Sequence, residues 1–265
     1  MIHALLLSSL LGAAPHADTA KARALLVAGD WAAAEKAWAK APPSGEMWKS
    51  IGLARLRLGR ASEAVPAFRA SLDLAPKDVE TKLYLGIAFA QTGKFEEAIW
   101  MFSNILRDVP GQKSALLARA NTLTWAKRLP EAEVDYRAAA VADPANFDAW
   151  FGLAQVLAWQ GKLDDAYASF QNAEKLARNH AESSRAVGRE GQVRAWQKKS
   201  SDAQALYQKA VGLDTANGEA WMGLSEVLEW NGKFKESREA VEKALLANPG
   251  DSAARKRLVM LEWVK

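Results

Sequence analysis

Four tryptophans, each preceded four positions earlier by a residue that can form hydrogen bonds, are the clearest chemical pattern in this chain of 265 residues. Residues four apart share one face of a helix, so each pair would present a flat apolar ring beside a polar group. Such pairs suit the apolar faces and hydroxyls of sugars, and they also suit an extended peptide. The four pairs are Asn121 with Trp125, Gln155 with Trp159, Gln192 with Trp196, and Glu226 with Trp230.

Residues for acid–base, nucleophilic or metal chemistry are scarce. The three histidines, His3, His16 and His180, do not have the spacing of metal ligands, and cysteine is absent. The stretch at 187–191, VGREG, lacks both the lysine and the preceding strand of a phosphate-binding loop. We therefore expect no enzymatic activity, no bound metal and no cofactor.

The composition is that of an ordinary globular protein, with 49% hydrophobic and 25% charged residues. Lys and Arg together number 35 against 31 for Asp and Glu, and the basic residues are dispersed along the chain. A nucleic-acid-binding protein concentrates its basic residues in a patch or stripe. The sequence therefore predicts no nucleic-acid partner.

The N-terminus carries an apolar run from Ile2 to Ala14, followed by Pro15. The run resembles a secretory signal, and it is too short to span a bilayer. We therefore predict a signal peptide at residues 1–17, a periplasmic or secreted protein, and no transmembrane segment in the mature chain. The alternative is an apolar capping helix on a cytoplasmic protein.

The chain repeats itself with a period of 34 residues, the spacing of Pro76, Pro110 and Pro144. Positions are counted from the first residue of each unit. A small residue recurs at position 20, a large apolar residue recurs at position 24, and glycine is frequent at position 15. A hairpin of two helices cannot bury its apolar stripe alone, so such units stack into an all-helical solenoid. Seven units start near residues 15, 45, 79, 113, 147, 184 and 218.

The repeated residues resemble the tetratricopeptide repeat. The resemblance implies an all-α, right-handed superhelical solenoid of about seven helical hairpins over residues 18–251, with a capping helix at 252–265. It also implies that the first helix of each unit lines a concave groove, in which a protein or peptide partner binds. The residues that carry the resemblance in the second unit are Trp48, Ile51, Gly52, Ala64, Phe68 and Pro76.

Two units depart from the pattern. In the first, Pro42 and Pro43 arrive where the second helix should continue, because proline disfavours helix at its own and the preceding position. The sixth has three inserted residues, 181–183, and its expected buried stripe contains Glu190 and Arg194, which are spaced to pair. Either this helix is rotated from its register or the array bends here, and we expect a local break in regularity.

The four tryptophans of the opening pattern all occupy position 13, about 180° from the buried stripe of the first helix. Two interpretations remain open: each ring packs against the neighbouring unit, or the rings form a binding strip in the groove. Five other tryptophans fill positions that are normally core in this fold, whereas Trp100 and Trp263 have no assigned role. The core set is Trp31, Trp38, Trp48, Trp150 and Trp221.

These features predict a non-catalytic scaffold that holds an extended protein or peptide partner in its groove, in the bacterial periplasm. An alternative comes from LAWQGK at 157–162 and LEWNGK at 228–233. These stretches resemble the tryptophan-bearing repeats of polysaccharide export and assembly proteins of the outer membrane, which implies a periplasmic module with a polysaccharide ligand. A cytoplasmic adaptor is the third possibility.

Overall fold

The protein is described by a computed structural model that covers the backbone of residues 17–262 and the side chains of residues 19–261. Apart from Ala17, the predicted signal segment lies outside the described residues, as does Trp263. The described residues form fifteen α-helices and no strand. They divide into two compact units, one ending at Lys127 and the other beginning at Arg128.

Unit 1 contains seven helices, and helices adjacent in the chain pack against each other. The fourth repeat contributes its first helix to this unit. The helices are α1 (Ala17–Ala28), α2 (Trp31–Trp38), α3 (Gly45–Arg57), α4 (Ala61–Leu74), α5 (Val79–Gln91), α6 (Phe95–Asp108) and α7 (Lys113–Trp125).

Unit 2 contains the remaining eight described helices, which pack in the same sequential manner. It starts with the second helix of the fourth repeat. The helices are α8 (Leu129–Ala142), α9 (Phe147–Trp159), α10 (Leu163–Lys175), α11 (His180–Trp196), α12 (Ser200–Leu213), α13 (Gly218–Trp230), α14 (Phe234–Ala247) and α15 (Ser252–Glu262).

The small residue at position 20 and the large residue at position 24 form the core of the hairpins whose two helices lie in one unit. In the second repeat, Ala64 and Phe68 are both fully buried. The Phe68 ring lies against the backbone of α3, where a β-carbon on Gly52 would come within 2.7 Å of the ring atom Cε1. The close approach of the two helices therefore requires glycine at this position of α3.

The turn inside each hairpin needs one residue in the left-handed backbone conformation at position 15. Glycine fills it in five repeats, as at Gly59 with φ +74° and Gly161 with φ +76°. In the fourth and sixth repeats, Lys127 and Lys198 adopt the same conformation, with φ of 62° and 59°. The turn geometry is therefore kept where glycine is missing, at a conformational cost.

The first repeat is short because its second helix ends at Trp38, before Pro42 and Pro43. Trp38 is nevertheless buried, with 1% of its surface exposed. It packs in one cluster with Leu26 and Met47, which joins α1 and α2 to α3. The shortened hairpin is thus attached to the second repeat by a common core.

The irregularity of the sixth repeat is an added turn at the start of α11, and the helix is not rotated. The helix begins at His180 and runs for 17 residues, whereas α9 and α13 have 13 each. Asn179 caps it by accepting from the Glu182 backbone N–H at 2.9 Å. The Glu182 carboxylate in turn accepts from the Arg178 backbone N–H at 2.9 Å, so the inserted residues extend the helix.

The expected pairing of Glu190 with Arg194 on α11 is wrong. Val187 and Glu190 are buried in the predicted register, with 0% and 2% of their surface exposed. Arg194 places its guanidinium carbon 3.6 Å from the centre of the Tyr167 ring and donates to Gln197 Oε1 at 2.8 Å. Arg194 is held by these contacts to α10 and to the next turn, rather than by Glu190.

The last described helix, α15, packs on α14. Leu261 and Ala254 are buried together with Val241, and Met222 lies against the same cluster. This helix therefore covers the apolar end of the seventh hairpin, as a capping helix does. None of the described helices is both long and apolar enough to cross a membrane.

Candidate functional site

A groove of about 730 Å³ lies in unit 2. The first helices of three repeats, α9, α11 and α13, line it together with α15, and one residue comes from the second helix α12. Glycines at 188 and 223 face the groove, so the two helices contribute no side chain of their own at these points. Its apolar lining includes Phe151, Met222 and Met260.

Charged and amide side chains surround this groove and form hydrogen bonds and ion pairs with one another. Arg189 donates through Nη2 to Glu219 at 2.8 Å and through Nη1 to Gln192 Oε1 at 2.9 Å, which links α11 with α13. Arg185 lies over the Phe151 ring, with its guanidinium carbon 4.7 Å from the ring centre. The groove thus offers amide, cationic and aromatic groups in fixed positions.

The side chain of Tyr207, on the second helix α12, extends past α13 to the groove. Its ring occupies the place where a side chain on Gly223 would lie, because a β-carbon there would be 2.7 Å from the phenolic oxygen. The fourth and fifth repeats contain the same arrangement, in which a β-carbon on Gly152 would lie 2.9 Å from the Tyr136 oxygen. Tyr207 lines the groove, whereas Tyr136 does not.

Three of the predicted polar residues meet in the groove. Gln155 on α9, Gln192 on α11 and Glu226 on α13 all line it. They occupy position 9 of successive repeats, so the shared register of the first helices brings them to one wall. Asn121, the fourth member of the predicted set, lies on α7 in unit 1.

The predicted tryptophans lie outside the lining of this groove. Each is the last residue of its first helix, at the edge where the hairpin turns. About half of each side chain is exposed, since the exposed fractions of Trp125, Trp159, Trp196 and Trp230 are 52%, 49%, 46% and 55%. Packing between repeats therefore covers only part of each ring.

Polar bridges between neighbouring repeats lie beside these tryptophans in unit 2. The residue after each ring, at position 14, reaches the hairpin of the preceding repeat. Gln160 donates to the Leu129 carbonyl at 3.1 Å, and Gln197 donates to Asp164 Oδ1 at 2.8 Å. The chain next to the exposed rings is thus fixed between repeats.

Glu190 is a buried carboxyl group between α10, α11 and α12. Its Oε1 has no hydrogen-bond partner among the described residues. Burial, followed by the nearby negative charge of Glu174, raises the pKa of Glu190 to about 8, and the charges of Lys209 and Arg194 oppose this shift. Lys209 Nζ lies 2.5 Å from Glu174 Oε1, and burial keeps Glu190 protonated at neutral pH beside this ion pair.

The chain matches two family models in succession. Residues 6–190 match the protein kinase G tetratricopeptide repeat, and residues 197–259 match a tetratricopeptide repeat model. The chain belongs to the tetratricopeptide repeat family. No curated protein matches its sequence.

Solved structures of other tetratricopeptide repeat proteins share the fold. A protein from Parabacteroides merdae aligns with a TM-score of 0.69 at 15% identity, over 92% of this chain and 97% of that one. The Cut9–Hcn1 hetero-tetramer of the APC/C aligns with a TM-score of 0.69 at 16% identity, over 92% of this chain, which spans only 47% of that one. YrrB, described as having an unusual peptide-binding site, aligns with a TM-score of 0.57 at 17% identity, over 72% and 97%.

The structure of this repeat protein gives no reason to assign a metal site to the described residues, which contain no cluster of three or more His, Asp or Glu able to hold an ion. His180 is an exposed residue at the start of α11, whereas His3 and His16 precede the described range. The groove residues named above include no paired nucleophile and base.

Tyr207 and the two groove glycines were not predicted from the sequence. Position 24 is a core position of the repeat, so a tyrosine there is expected to be a buried core residue. The available signal was Gly223, because a glycine inside a helix costs about 1 kcal/mol relative to alanine and indicates that another group approaches closely. The same signal at Gly152 marks the Tyr136 contact.

Proposed function

We propose that this protein is a scaffold that binds an extended peptide segment of a partner protein in the groove of unit 2. The observation that carries the proposal is the convergence of Gln155, Gln192 and Glu226 from three successive first helices on one groove. Amide and carboxylate groups repeated along a groove match the repeated N–H and C=O groups of an extended chain. YrrB, whose fold is similar, is described as having a peptide-binding site, which supports the same use here.

Peptide display tests this proposal with the full chain. Random peptides of 12 residues would be selected against the protein, then synthesised, labelled and titrated by fluorescence anisotropy. The double variant Gln155→Ala and Gln192→Ala should bind about tenfold more weakly or worse, because each lost hydrogen bond costs about 1 kcal/mol. The control is Leu246→Ala on α14, whose side chain is 82% exposed and outside the groove. Equal affinity of the double variant and the wild type would refute groove binding.

A carbohydrate ligand is the second candidate, and the exposed tryptophans favour it. Trp159, Trp196 and Trp230 each keep about half of their surface exposed at the ends of successive first helices in unit 2. Aromatic faces of this kind stack on the apolar faces of sugars. A glycan array of linear oligosaccharides would be probed with the wild type and with Trp196→Ala. The matched control is Trp100→Ala, because Trp100 is 65% exposed on a second helix; loss of glycan binding in both variants would argue against a specific strip.

We place either activity in the periplasm or outside the cell, on the resemblance of residues 1–17 to a signal peptide. The test is the intact mass of the protein produced from its own start codon in a bacterial host, measured in separated cell fractions. Periplasmic material that lacks roughly the first 14 to 20 residues supports export. Full-length protein confined to the cytoplasm would favour the cytoplasmic adaptor instead.

A further inference from the structure

Tyr207 stands apart from the rest of the groove lining because it belongs to the second helix α12. The other described lining residues lie on the first helices, on α15, or next to their starts. Its side chain passes between two first helices to reach the groove. This route exists because both helices carry glycine where the ring passes.

The two glycines fix the ring. A β-carbon on Gly191 of α11 would lie 3.1 Å from Cδ1 and 3.2 Å from Cγ of Tyr207. A β-carbon on Gly223 of α13 would lie 2.7 Å from the phenolic oxygen, at the opposite end of the ring. The inner part of the ring is therefore held against α11, while the hydroxyl end lies beside Gly223 at the groove.

Among the described residues none forms a hydrogen bond with the phenolic oxygen, and the residue as a whole is 6% exposed. Burial, with a smaller contribution from Glu226, raises the pKa of the Tyr207 phenol, so the hydroxyl keeps its proton at neutral pH. A protonated hydroxyl can both donate and accept. A polar group held at the floor of a groove without a protein partner has its full hydrogen-bonding capacity left for a ligand.

We infer that the Tyr207 hydroxyl is a recognition group that hydrogen-bonds a main-chain amide of the peptide bound in the groove. The inference rests on the proposed function and adds the residue and the ligand atoms involved. A main-chain amide is the group that matches it, because a peptide unit presents an acceptor and a donor at every residue whatever its side chain. Gly188 and Gly223 both line the groove, and at Gly223 the Tyr207 ring takes the place of a side chain, so the hydroxyl lies at the helix surface where a peptide backbone would pass.

The test compares Tyr207→Phe with Tyr136→Phe in the full chain. Both variants remove only a hydroxyl from a ring that lies against a glycine of the following repeat, but Tyr136 does not line the groove. The probes are the synthetic peptides selected by display against the wild type. Tyr207→Phe should weaken every groove-bound peptide by about five- to tenfold, whereas Tyr136→Phe should leave the affinities unchanged. Thermal unfolding of both variants checks that the fold is kept.

A second measurement identifies the ligand atom that the hydroxyl contacts. Peptides methylated at one backbone nitrogen at a time would be titrated against the wild type. Methylation at one position should cost about as much as the loss of the hydroxyl, and that position should cost nothing further in Tyr207→Phe. Unchanged peptide affinity in Tyr207→Phe would overturn the inference and leave the proposed function standing. Failure of every peptide to bind the wild type would overturn both.

Discussion

At the scale of single residues, the groove depends on which positions lack a side chain. Gly188 and Gly223 both lie inside first helices and both face the groove, but their surroundings differ. The atoms nearest a β-carbon on Gly188 would lie at 3.6 Å or more, whereas one on Gly223 would overlap the Tyr207 ring. The first position can accept a β-carbon in ordinary van der Waals contact, and the second is filled by a neighbouring repeat.

The two glycines should therefore respond oppositely to alanine. Gly223→Ala should lower the free energy of unfolding by about 1 to 3 kcal/mol, because the Tyr207 ring must move. Gly188→Ala should raise it by up to about 1 kcal/mol through the higher helix propensity of alanine. Urea unfolding followed by circular dichroism measures both. Stabilisation by Gly223→Ala would show that the ring does not occupy the gap.

Glu190 should make the stability of the protein depend on pH. Its pKa is raised from 4.5 to about 8 in the folded state, so the folded protein holds a proton that the unfolded chain releases. The contribution of Glu190 to the free energy of unfolding is fully present below about pH 4.5. It is lost as the pH rises toward 8, at up to about 1.4 kcal/mol per pH unit. Glu190→Gln should remove this part of the slope and should be more stable than the wild type at pH 8.5.

The free energy of unfolding of both proteins would be measured by chemical denaturation at pH 5, 7 and 8.5. The test is the difference between the two proteins in how this free energy changes with pH. The charges around this carboxyl are Glu174 on α10, Arg194 on α11 and Lys209 on α12. Parallel stability curves for the wild type and Glu190→Gln would mean that Glu190 titrates at its ordinary value.

The sequence alone predicted part of the site. Helix geometry was sufficient to put Gln155, Gln192 and Glu226 on one face, and these residues do line the groove. Tyr207 and Glu190 could not be assigned from the pattern, because each stands at a position that the repeat uses for the core. Their roles come from the helices packed against them, Gly223 in one case and the Glu174–Lys209 ion pair in the other.

At the scale of the helical elements, the turns between paired helices differ in one respect. Five repeats place glycine at the left-handed position, and two place lysine there. A residue with a β-carbon is disfavoured in this conformation by roughly 1 kcal/mol or more. The fourth and sixth hairpins therefore contain a conformational cost that the others avoid.

Lys198→Gly should stabilise the sixth hairpin. We expect a gain of about 1 kcal/mol in the free energy of unfolding, reduced by the greater freedom of glycine in the unfolded chain. The matched change is Gly161→Ala in the fifth hairpin, where φ is +76° and a loss of about 1 kcal/mol is expected. Thermal unfolding of the two variants beside the wild type tests the pair, and a loss of stability in Lys198→Gly would contradict the prediction.

At the scale of the whole molecule, the period of 34 residues was enough to predict the all-helical repeat fold. Alanine at position 20 and an aromatic residue at position 24 recur because every hairpin solves the same packing problem. The sixth repeat was less predictable. Its added turn depends on contacts among Arg178, Asn179 and Glu182 that no repeat-wide pattern contains.

Contacts in each unit run mainly between helices adjacent in the chain, so damage to one hairpin should spread only to its neighbours. Phe68→Leu in unit 1 should increase hydrogen exchange most in α3 to α5, and Phe170→Leu in unit 2 should do so most in α9 to α11. Both rings are buried, with 0% and 1% exposed, so the two changes are matched. Exchange measured by mass spectrometry on the whole chain gives the map. A uniform rise over all helices after either change would indicate a single cooperative structure.

The contact between a tyrosine and the glycine of the next repeat has a consequence for how homologous sequences change in evolution. In this protein each tyrosine at position 24, Tyr136 and Tyr207, is followed in the next repeat by glycine at position 6. The phenylalanines at that position are followed by other residues, as Phe68 is by Tyr84 and Phe170 by Arg189. Neither member of the pair can change freely while the other stays, so the two positions should be inherited together across the boundary between repeats. Homologous sequences should therefore gain or lose the tyrosine and the glycine in the same lineages.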